Sequence, residues 1–193
     1  MKKEFNLLDE NWVRVLLPDY AVKEVSLKDV FTHSHEYMDL AGETDTQNVA
    51  MIRLLLAIAH SGFARFDSNG DEIPLLNRDE AISRWKSYWS LGHFPEAFLK
   101  YLEECRERFW LFHPEKPFYQ VNEAKKGTEY TAAKLNGEIS ESNNKVRMFA
   151  TRSGEAKMQL TYAEAARWLL FINGYDDVSV KPSKAGLPSI SIG

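Results

Sequence analysis

Two of the five histidines in this 193-residue chain lie in one short segment, and their spacing is the first feature that suggests chemistry. His33 and His35 form an H-x-H pattern, Glu36 follows directly, and His60 lies further along the chain. Imidazole and carboxylate groups bind metal ions and transfer protons. The segment is therefore a candidate metal site or acid–base site.

The geometry of a helix argues against a metal ion shared by these histidines. Each helical residue advances by about 100°, so His33 and His35 would point roughly 200° apart, whereas in a strand they would share a face. The H-E-x-x-H pattern of helical zinc enzymes is absent. We predict that His60 lies at a helix end, where imidazole contacts free carbonyls. We expect no metal and no cofactor, and a metal-dependent hydrolase built on His33, His35 and Glu36 is the least favoured alternative.

Other enzyme classes also lack their usual residues. The chain contains no G-x-S-x-G nucleophile elbow, no phosphate-binding Walker loop and no G-x-G-x-x-G dinucleotide fingerprint. Its single cysteine, Cys105, falls on the apolar side of a predicted helix, which favours a buried thiol over a nucleophile. We therefore predict that the protein is not an enzyme.

Composition and charge restrict the partners and the location. The net charge of −4 argues against non-specific binding of nucleic acid by the free chain. It is compatible with a local basic patch, or with a place in an assembly whose other members carry positive charge. One cysteine permits no internal disulfide, which suits a reducing compartment. No apolar run reaches the length of a membrane helix, and the N-terminus lacks the apolar core of a signal peptide, so we expect a cytoplasmic protein without membrane contact.

The first half of the chain predicts a hairpin followed by two helices. Alternating apolar residues around a Pro-Asp turn predict a β-hairpin near residues 12–25, and Ser26 is placed to cap a short helix. We predict that Thr46 caps a second helix and that Gly62 ends it. Helical spacing predicts that this helix buries Val49, Ile52, Leu55, Leu56 and Ala59.

Three further helices are predicted in the second half. Asn77 and Glu80 form a capping box for a helix that Gly92 ends, and Pro95 suits the first turn of the next helix. A strand-like run follows the second proline of "HPEKPFYQV", and residues 122–145 suggest a long surface loop. Thr161 caps the last helix, with Gly174 as its end and Ala165, Trp168, Leu169 and Ile172 as its buried stripe.

The tryptophans complete the predicted core. We expect Trp85, Trp89, Trp110 and Trp168 to be buried and Trp12 to be half-buried on the hairpin, because their neighbours are apolar. The predicted fold is therefore a single α+β domain with an N-terminal β-hairpin, short strands and about five helices.

One segment combines basic and aromatic residues just before the last helix. In "RMFATRSGEAK" two arginines and a lysine flank Phe149 and Gly154. Aromatic and basic side chains together bind single-stranded nucleic acid by stacking and by charge. The alternative is a solvated loop with Phe149 inserted into the core.

Five segments, in a fixed order, resemble those of one protein family. They are "FNLLDENWVRV", "SLKDVFTHSHEYMDLAGETDTQNVAMIRLLLAIAH", "HPEKPFYQV", "NNKVRMF" and "LTYAEAARWLLFINGYDD". In this order they resemble the N-terminal part of the large subunit, the CasA family, of the type I-E CRISPR surveillance complex Cascade. The resemblance runs from Phe5 to about Gly193. It implies that residues 1–193 are the N-terminal domain of a longer subunit, whose C-terminal helical bundle lies beyond this segment.

The resemblance implies a non-catalytic role in RNA-guided antiviral defence. The family's large subunit recognises the protospacer-adjacent motif (PAM) in double-stranded target DNA, while the guide RNA reads the target by base pairing. It contacts the 5′ handle region of the guide RNA and recruits a nuclease-helicase. The implied partners are other Cascade subunits, guide RNA, target DNA and, through the full-length subunit, that nuclease-helicase. The alternative is a scaffold domain that docks on other Cas subunits without touching nucleic acid.

The resemblance also places two nucleic-acid-binding segments. The family's first flexible loop matches residues 149–152, with Phe149 as the aromatic anchor beside Ala150, Thr151 and Arg152. The family's glycine-rich loop, which approaches the minor groove of the PAM, matches a stretch here that contains Val178, Ser179, Val180 and Lys181. Glycine permits close backbone approach and valine does not, so we expect Ser179 or Lys181 to make the contact, or a different motif specificity. A lysine finger and a glutamine wedge of the family lie beyond residue 193.

Overall fold

The computed structural model describes residues 2–121, 129, 131–136, 152 and 154–175. Among these residues the strands are β1 (Glu4–Asn6), β2 (Val13–Leu16), β3 (Val22–Val25), β4 (Asp39–Leu40) and β5 (Trp110–Phe112). The helices are α1 (Leu27–His33), α2 (Asp45–Arg65), α3 (Arg78–Leu91), α4 (Ala97–Glu104), the single turn α5 (Ala132–Leu135) and α6 (Tyr162–Tyr175). The predicted α+β class with about five helices is confirmed. In this described part of the chain, no helix is both long and apolar enough to cross a membrane.

Two small antiparallel sheets carry the strands. One has the order β3-β2-β4 and the other pairs β1 with β5. The β2–β3 pairing matches Val13 with Val25 and Leu16 with Val22, which confirms the hairpin predicted near residues 12–25. The strand-like run is misplaced in the prediction, because β5 precedes the two prolines and pairs with β1. Phe118, in the predicted strand, is instead buried in the core.

Local capping signals predict three helix starts correctly. Ser26 accepts a hydrogen bond from the backbone N–H of Asp29, whose carboxylate accepts one from the Ser26 N–H in return. Asn77 Oδ1 caps α3 by accepting a hydrogen bond from the Glu80 N–H, while the Glu80 carboxylate accepts from the Leu76 N–H and the Asn77 side-chain amide. Gly92 ends that helix with a φ of 76°. Thr161 caps α6. Each of these signals depends on residues a few positions apart, which is why the sequence alone identifies them.

The bounds predicted for α2 are wrong at both ends. Thr44, not Thr46, is the cap, since its Oγ1 accepts a hydrogen bond from the Gln47 N–H at 3.2 Å. The helix passes through Gly62 and continues to Arg65. Gly62 serves packing here, because a Cβ at this position would lie 2.6 Å from the ring of Phe98 on α4.

The buried stripe predicted for α2 is only partly correct, since Leu55 and Ala59 are partly buried against the core while the other three positions are exposed. The helix buries Ala50, Met51, Leu54 and Ile58, while Val49, Ile52 and Leu56 are between 42% and 51% exposed. The cause is tertiary: α2 packs along α6 and against α4, and the side facing them is rotated from the side that spacing alone suggested.

Two of the predicted core tryptophans lie at the surface. Trp89 is 76% exposed and Trp85 is 55% exposed, whereas Trp168 is buried as predicted and Trp110 is partly buried. The interior position on α3 belongs instead to Arg84, which donates to the carbonyls of Phe63 and Ile73. The half-burial predicted for Trp12 is wrong. Trp12 is fully buried, and its indole N–H donates to the Leu7 carbonyl at 2.9 Å.

Helix α6 keeps its predicted start but not its predicted stripe or end. It continues through Gly174 to Tyr175. Ala165, Leu169 and Ile172 are only partly buried, since α6 turns a different face to the core: Ala163, Ala166, Arg167, Trp168 and Leu170. Most of the loop predicted at 122–145 lies outside the described residues, and α5 is the helical turn found in it.

Candidate nucleic-acid interface

One residue of the predicted interface is described by the structure. Phe149, Ala150, Thr151, Val178, Ser179, Val180 and Lys181 lie outside the described residues. Arg152, the last residue of the first predicted segment, is described, and its surroundings can be built from the contacts of its guanidinium group.

Arg152 is held by two carboxylates of the protein itself. Its Nη2 lies 2.7 Å from Glu43 Oε2, just before α2, and 2.9 Å from Glu164 Oε1 in the first turn of α6. The Arg152 side chain is only 11% exposed. Burial lowers the pKa of Arg152, but the hydrogen bonds and charges of Glu43 and Glu164 outweigh it and raise the pKa overall. The guanidinium is therefore charged and committed to internal partners.

Glu164 binds Arg152 with one carboxylate oxygen and caps α6 with the other. Its second oxygen accepts hydrogen bonds from the backbone N–H and the hydroxyl of Thr161, which is the capping box of α6. Partial burial raises the pKa of Glu164, but the Thr161 hydrogen bonds and the Arg152 charge more than offset this and lower it. The start of α6 is thus tied to residue 152.

A second arginine extends the contacts to the hairpin. Arg167 is buried on α6, and its Nη1 donates to the Trp12 carbonyl at 2.7 Å and to Glu24 Oε1 of β3 at 2.8 Å. Its Nη2 lies 3.9 Å from Glu43 Oε1, which is too long for a hydrogen bond. Burial lowers the pKa of Arg167, partly countered by Glu24 and Glu43.

We call this group the Arg152–Arg167 network; its members are Glu24, Glu43, Arg152, Glu164 and Arg167. It joins the hairpin, the loop before α2 and the start of α6 around Arg152, the last residue of the first predicted segment. The sequence analysis missed it because its partners lie up to 143 residues apart. The one local signal is an arginine among apolar residues in "AARWLL".

The histidine segment has a different geometry from the one predicted. His33 ends α1, and His35 lies in a 3₁₀ turn over Ser34–Glu36. This tighter turn brings Glu36 Oε1 to 3.2 Å from His33 Nδ1 and 3.8 Å from His35 Nε2. His60 lies inside α2, so its predicted place at a helix end is wrong. Within the described ranges, no three His, Cys, Asp or Glu side chains are grouped as metal ligands.

An aromatic pocket, which the sequence analysis missed, lies between α2 and α3. It encloses about 530 Å³. Its apolar lining includes Leu56, Phe63, Tyr88, Phe94 and Phe98 together with the exposed Trp85 and Trp89, and its polar lining is Ser34, His35, His60 and His93. The two tryptophan rings stack with centroids 5.5 Å apart. Its signal in the sequence was the apolar stripe of α2, which the sequence analysis assigned to the core.

The sequence and the fold are similar to those of CRISPR-associated proteins named Cse1 or CasA. The family model for CRISPR-associated protein Cse1 matches residues 6–188. CRISPR-associated protein CasA/Cse1 of Thermus thermophilus is 33% identical over 169 residues, which is 87% of this chain and 31% of that protein.

Two solved structures share the fold. The crystal structure of Thermobifida fusca Cse1 superposes with a TM-score of 0.71 at 29% identity and covers 92% of this chain and 31% of that one. A chain of a CRISPR RNA-guided surveillance complex superposes with a TM-score of 0.72 over 95% of this chain and 37% of that one; at 24% identity this likeness concerns the fold alone. The chain spans about a third of the length of these relatives. Since the family model covers nearly the whole chain, the protein belongs to the Cse1 family of CRISPR-associated proteins.

Proposed function

We propose that residues 1–193 form the N-terminal domain of a non-catalytic Cascade large subunit in the cytoplasm. The domain contributes to recognition of the PAM in double-stranded target DNA and contacts the 5′ handle region of the guide RNA. Together with the rest of the subunit, it takes part in recruiting the nuclease-helicase. Its partners are the other Cascade subunits, the guide RNA and the target DNA.

Family membership is the observation that carries this proposal. The match to the Cse1 model spans residues 6–188 and therefore includes both segments proposed to bind nucleic acid. The T. thermophilus relative at 33% identity is likewise a CRISPR-associated protein. The net charge of −4 agrees with a domain that binds nucleic acid inside an assembly and only weakly by itself.

The Arg152–Arg167 network supports a role for the segment that begins at Phe149. Arg152 follows Phe149 by three residues in the sequence. The Arg152 guanidinium is fixed to Glu43 and Glu164. On the family resemblance we assign Phe149 to guide-RNA contact. Because internal carboxylates hold its guanidinium, we assign Arg152 to positioning of the segment.

The test uses complete Cascade with variants in its large subunit. Phe149→Ala and Lys181→Ala are compared with Lys2→Ala, which changes an exposed lysine near the N-terminus. Weaker binding of target DNA by a fully assembled complex supports recognition by these segments. Failure of the complex to assemble would favour the scaffold alternative, to which the exposed aromatic pocket lends support. Unchanged target binding in both variants would refute the assignment of these two segments.

A further inference from the structure

A continuous apolar surface joins the outer sides of α2 and α3. Val49, Ile52 and Leu56 recur at helical spacing on α2, yet each is more than two-fifths exposed. On α3, Ile82, Trp85 and Trp89 are exposed as well. Contiguous exposed apolar residues on a water-soluble surface mark a site where another molecule binds. We call the aromatic pocket and this exposed apolar stripe of α2 together the α2–α3 groove.

The floor of the groove is held by ring contacts and hydrogen bonds. Tyr88 on α3 packs edge-on against Phe63 of α2 at 5.5 Å and against Phe98 of α4 at 6.0 Å. Its hydroxyl donates to the Phe66 carbonyl at 2.9 Å, so the pocket receives the apolar side of the ring. Arg84 fixes α3 to the end of α2 through the Phe63 carbonyl. These contacts join α2, α3 and α4 beneath the groove.

The rim defines the charge of a fitting partner. Among the described residues, the pocket lining contains no Lys, Arg, Asp or Glu, and its basic groups are the imidazoles of His35, His60 and His93. The lack of lysine and arginine in this lining disfavours a nucleic-acid backbone. His35 already faces Glu36, and His93 Nδ1 lies 3.0 Å from the Phe94 carbonyl, which leaves His60 and the other ring nitrogen of His93 for a partner. A carboxylate brought beside an imidazole favours its charged form and is attracted to it.

The length of the groove defines the shape of the partner. Val49 and His60 are eleven residues apart on α2, which corresponds to about 16 Å along the helix axis. A helix of three turns has the same length, and amphipathic helices bind apolar grooves through residues at i, i+3, i+4 and i+7. A compact small molecule would fill the pocket and leave Val49 and Ile52 exposed.

We propose that the α2–α3 groove binds an amphipathic helix of another protein. The apolar side chains of that helix cover Ile52, Leu56, Trp85 and Trp89, and carboxylates on its flank pair with His60 and His93. Tryptophan and tyrosine are the residues most enriched among those that dominate binding energy at protein interfaces. This inference does not depend on either nucleic-acid segment or on the proposed function.

Two labelled peptides of about 18 residues, long enough to form a helix, test the proposal by fluorescence anisotropy. Both carry Leu and Phe at i, i+3, i+4 and i+7; one has flanking Glu residues and the other has Lys at the same places. We expect the Glu peptide to bind at least threefold more tightly than the Lys peptide. The Trp85→Ser/Trp89→Ser variant should bind it at least tenfold more weakly, as for interface hot spots. Met158→Ser, which removes an exposed apolar side chain outside the groove, should bind like the wild type.

Several results would overturn the proposal. They are no binding of the Glu peptide, equal binding of the two peptides, and equal binding by the double tryptophan variant. Self-association that the double variant abolishes would make a second copy of the chain the occupant instead. Displacement of the peptide by a single-stranded RNA would make the groove a nucleic-acid site. Because Trp85 and Trp89 are exposed, thermal unfolding of the double variant should match the wild type, which separates lost binding from lost folding.

Discussion

Substitution of Arg152 by Gln tests how the segment before α6 is held. Arg152→Gln removes a charge that is 11% exposed and leaves Glu43 and Glu164, with side chains 20% and 25% exposed, without their shared cation. Breaking a fully buried ion pair costs about 3–5 kcal/mol, whereas an exposed pair contributes about 0–1 kcal/mol. The partial burial of these groups places the expected loss in the free energy of unfolding at about 2–3 kcal/mol. For a domain of this size, this corresponds to a decrease in Tm of roughly 4–12 °C.

The assay is thermal unfolding of the wild type, Arg152→Gln and a matched control. Arg108→Gln provides the control, since Arg108 is exposed and makes no salt bridge with any other residue that the structure describes. We expect its Tm to stay near that of the wild type. Glu164→Gln keeps the capping box but loses the charge. The effects of Arg152→Gln and Glu164→Gln on the free energy of unfolding should therefore be non-additive in the double variant. A Tm of Arg152→Gln equal to that of Arg108→Gln would refute the network.

Guide-RNA binding then separates a positioning arginine from a contacting one. If Arg152 touched the RNA, removal of the nearby negative charge in Glu43→Gln would leave binding unchanged or strengthen it. If Arg152 positions the Phe149 segment, Glu43→Gln should weaken binding of the guide RNA in the same direction as Arg152→Gln. A rise in affinity in Glu43→Gln would contradict the positioning role.

Three further predictions concern stability. Gly62→Ala places a Cβ 2.6 Å from the Phe98 ring. Despite a gain of up to ~1 kcal/mol in helix propensity, we expect a net loss of about 1–2 kcal/mol in the free energy of unfolding measured with urea. An unchanged urea midpoint would contradict the close contact. Burial raises the pKa of Tyr88 to about 12 from 10.0, so the contribution of this pKa shift to the free energy of unfolding is present below pH 10 and lost as the pH rises towards 12. The variant Tyr88→Phe should not show this loss of stability at high pH. The hydrogen bond from Arg106 lowers the pKa of Asp9 from 3.8 to about 2, so its contribution is present above pH 4 and lost as the pH falls towards 2. Asp9→Asn should lower the free energy of unfolding by at most about 1 kcal/mol at neutral pH, because the Asp9–Arg106 pair is exposed. The stabilities of Asp9→Asn and the wild type should become equal below pH 2, and a difference that persists there would contradict this prediction.

Features set by neighbouring residues were predictable from the sequence. The hairpin and the caps at Ser26, Asn77 and Thr161 depend on residues within a few positions of one another. The cap of α2 was misplaced by two residues, from Thr44 to Thr46, because either threonine fits the local pattern.

Features set by distant contacts were not predictable from periodicity. The face of α2 that is buried is determined by packing against α6, which lies about a hundred residues further along the chain. Arg167 is buried on α6 because Glu24 and the Trp12 carbonyl, both distant in sequence, accept its hydrogen bonds. The proposed nucleic-acid segments came from family resemblance, and apart from Arg152 their residues lie outside the described part of the chain.

Ultraviolet cross-linking of guide RNA in assembled Cascade, followed by mass spectrometry of tryptic peptides, tests the central claim most directly. If this domain contacts the 5′ handle region through Phe149, the peptide Met148–Arg152 should carry a cross-linked nucleotide from that handle, and Phe149→Ala should abolish it. A 5′ handle that cross-links elsewhere with equal yield in the wild type and in Phe149→Ala would contradict the account.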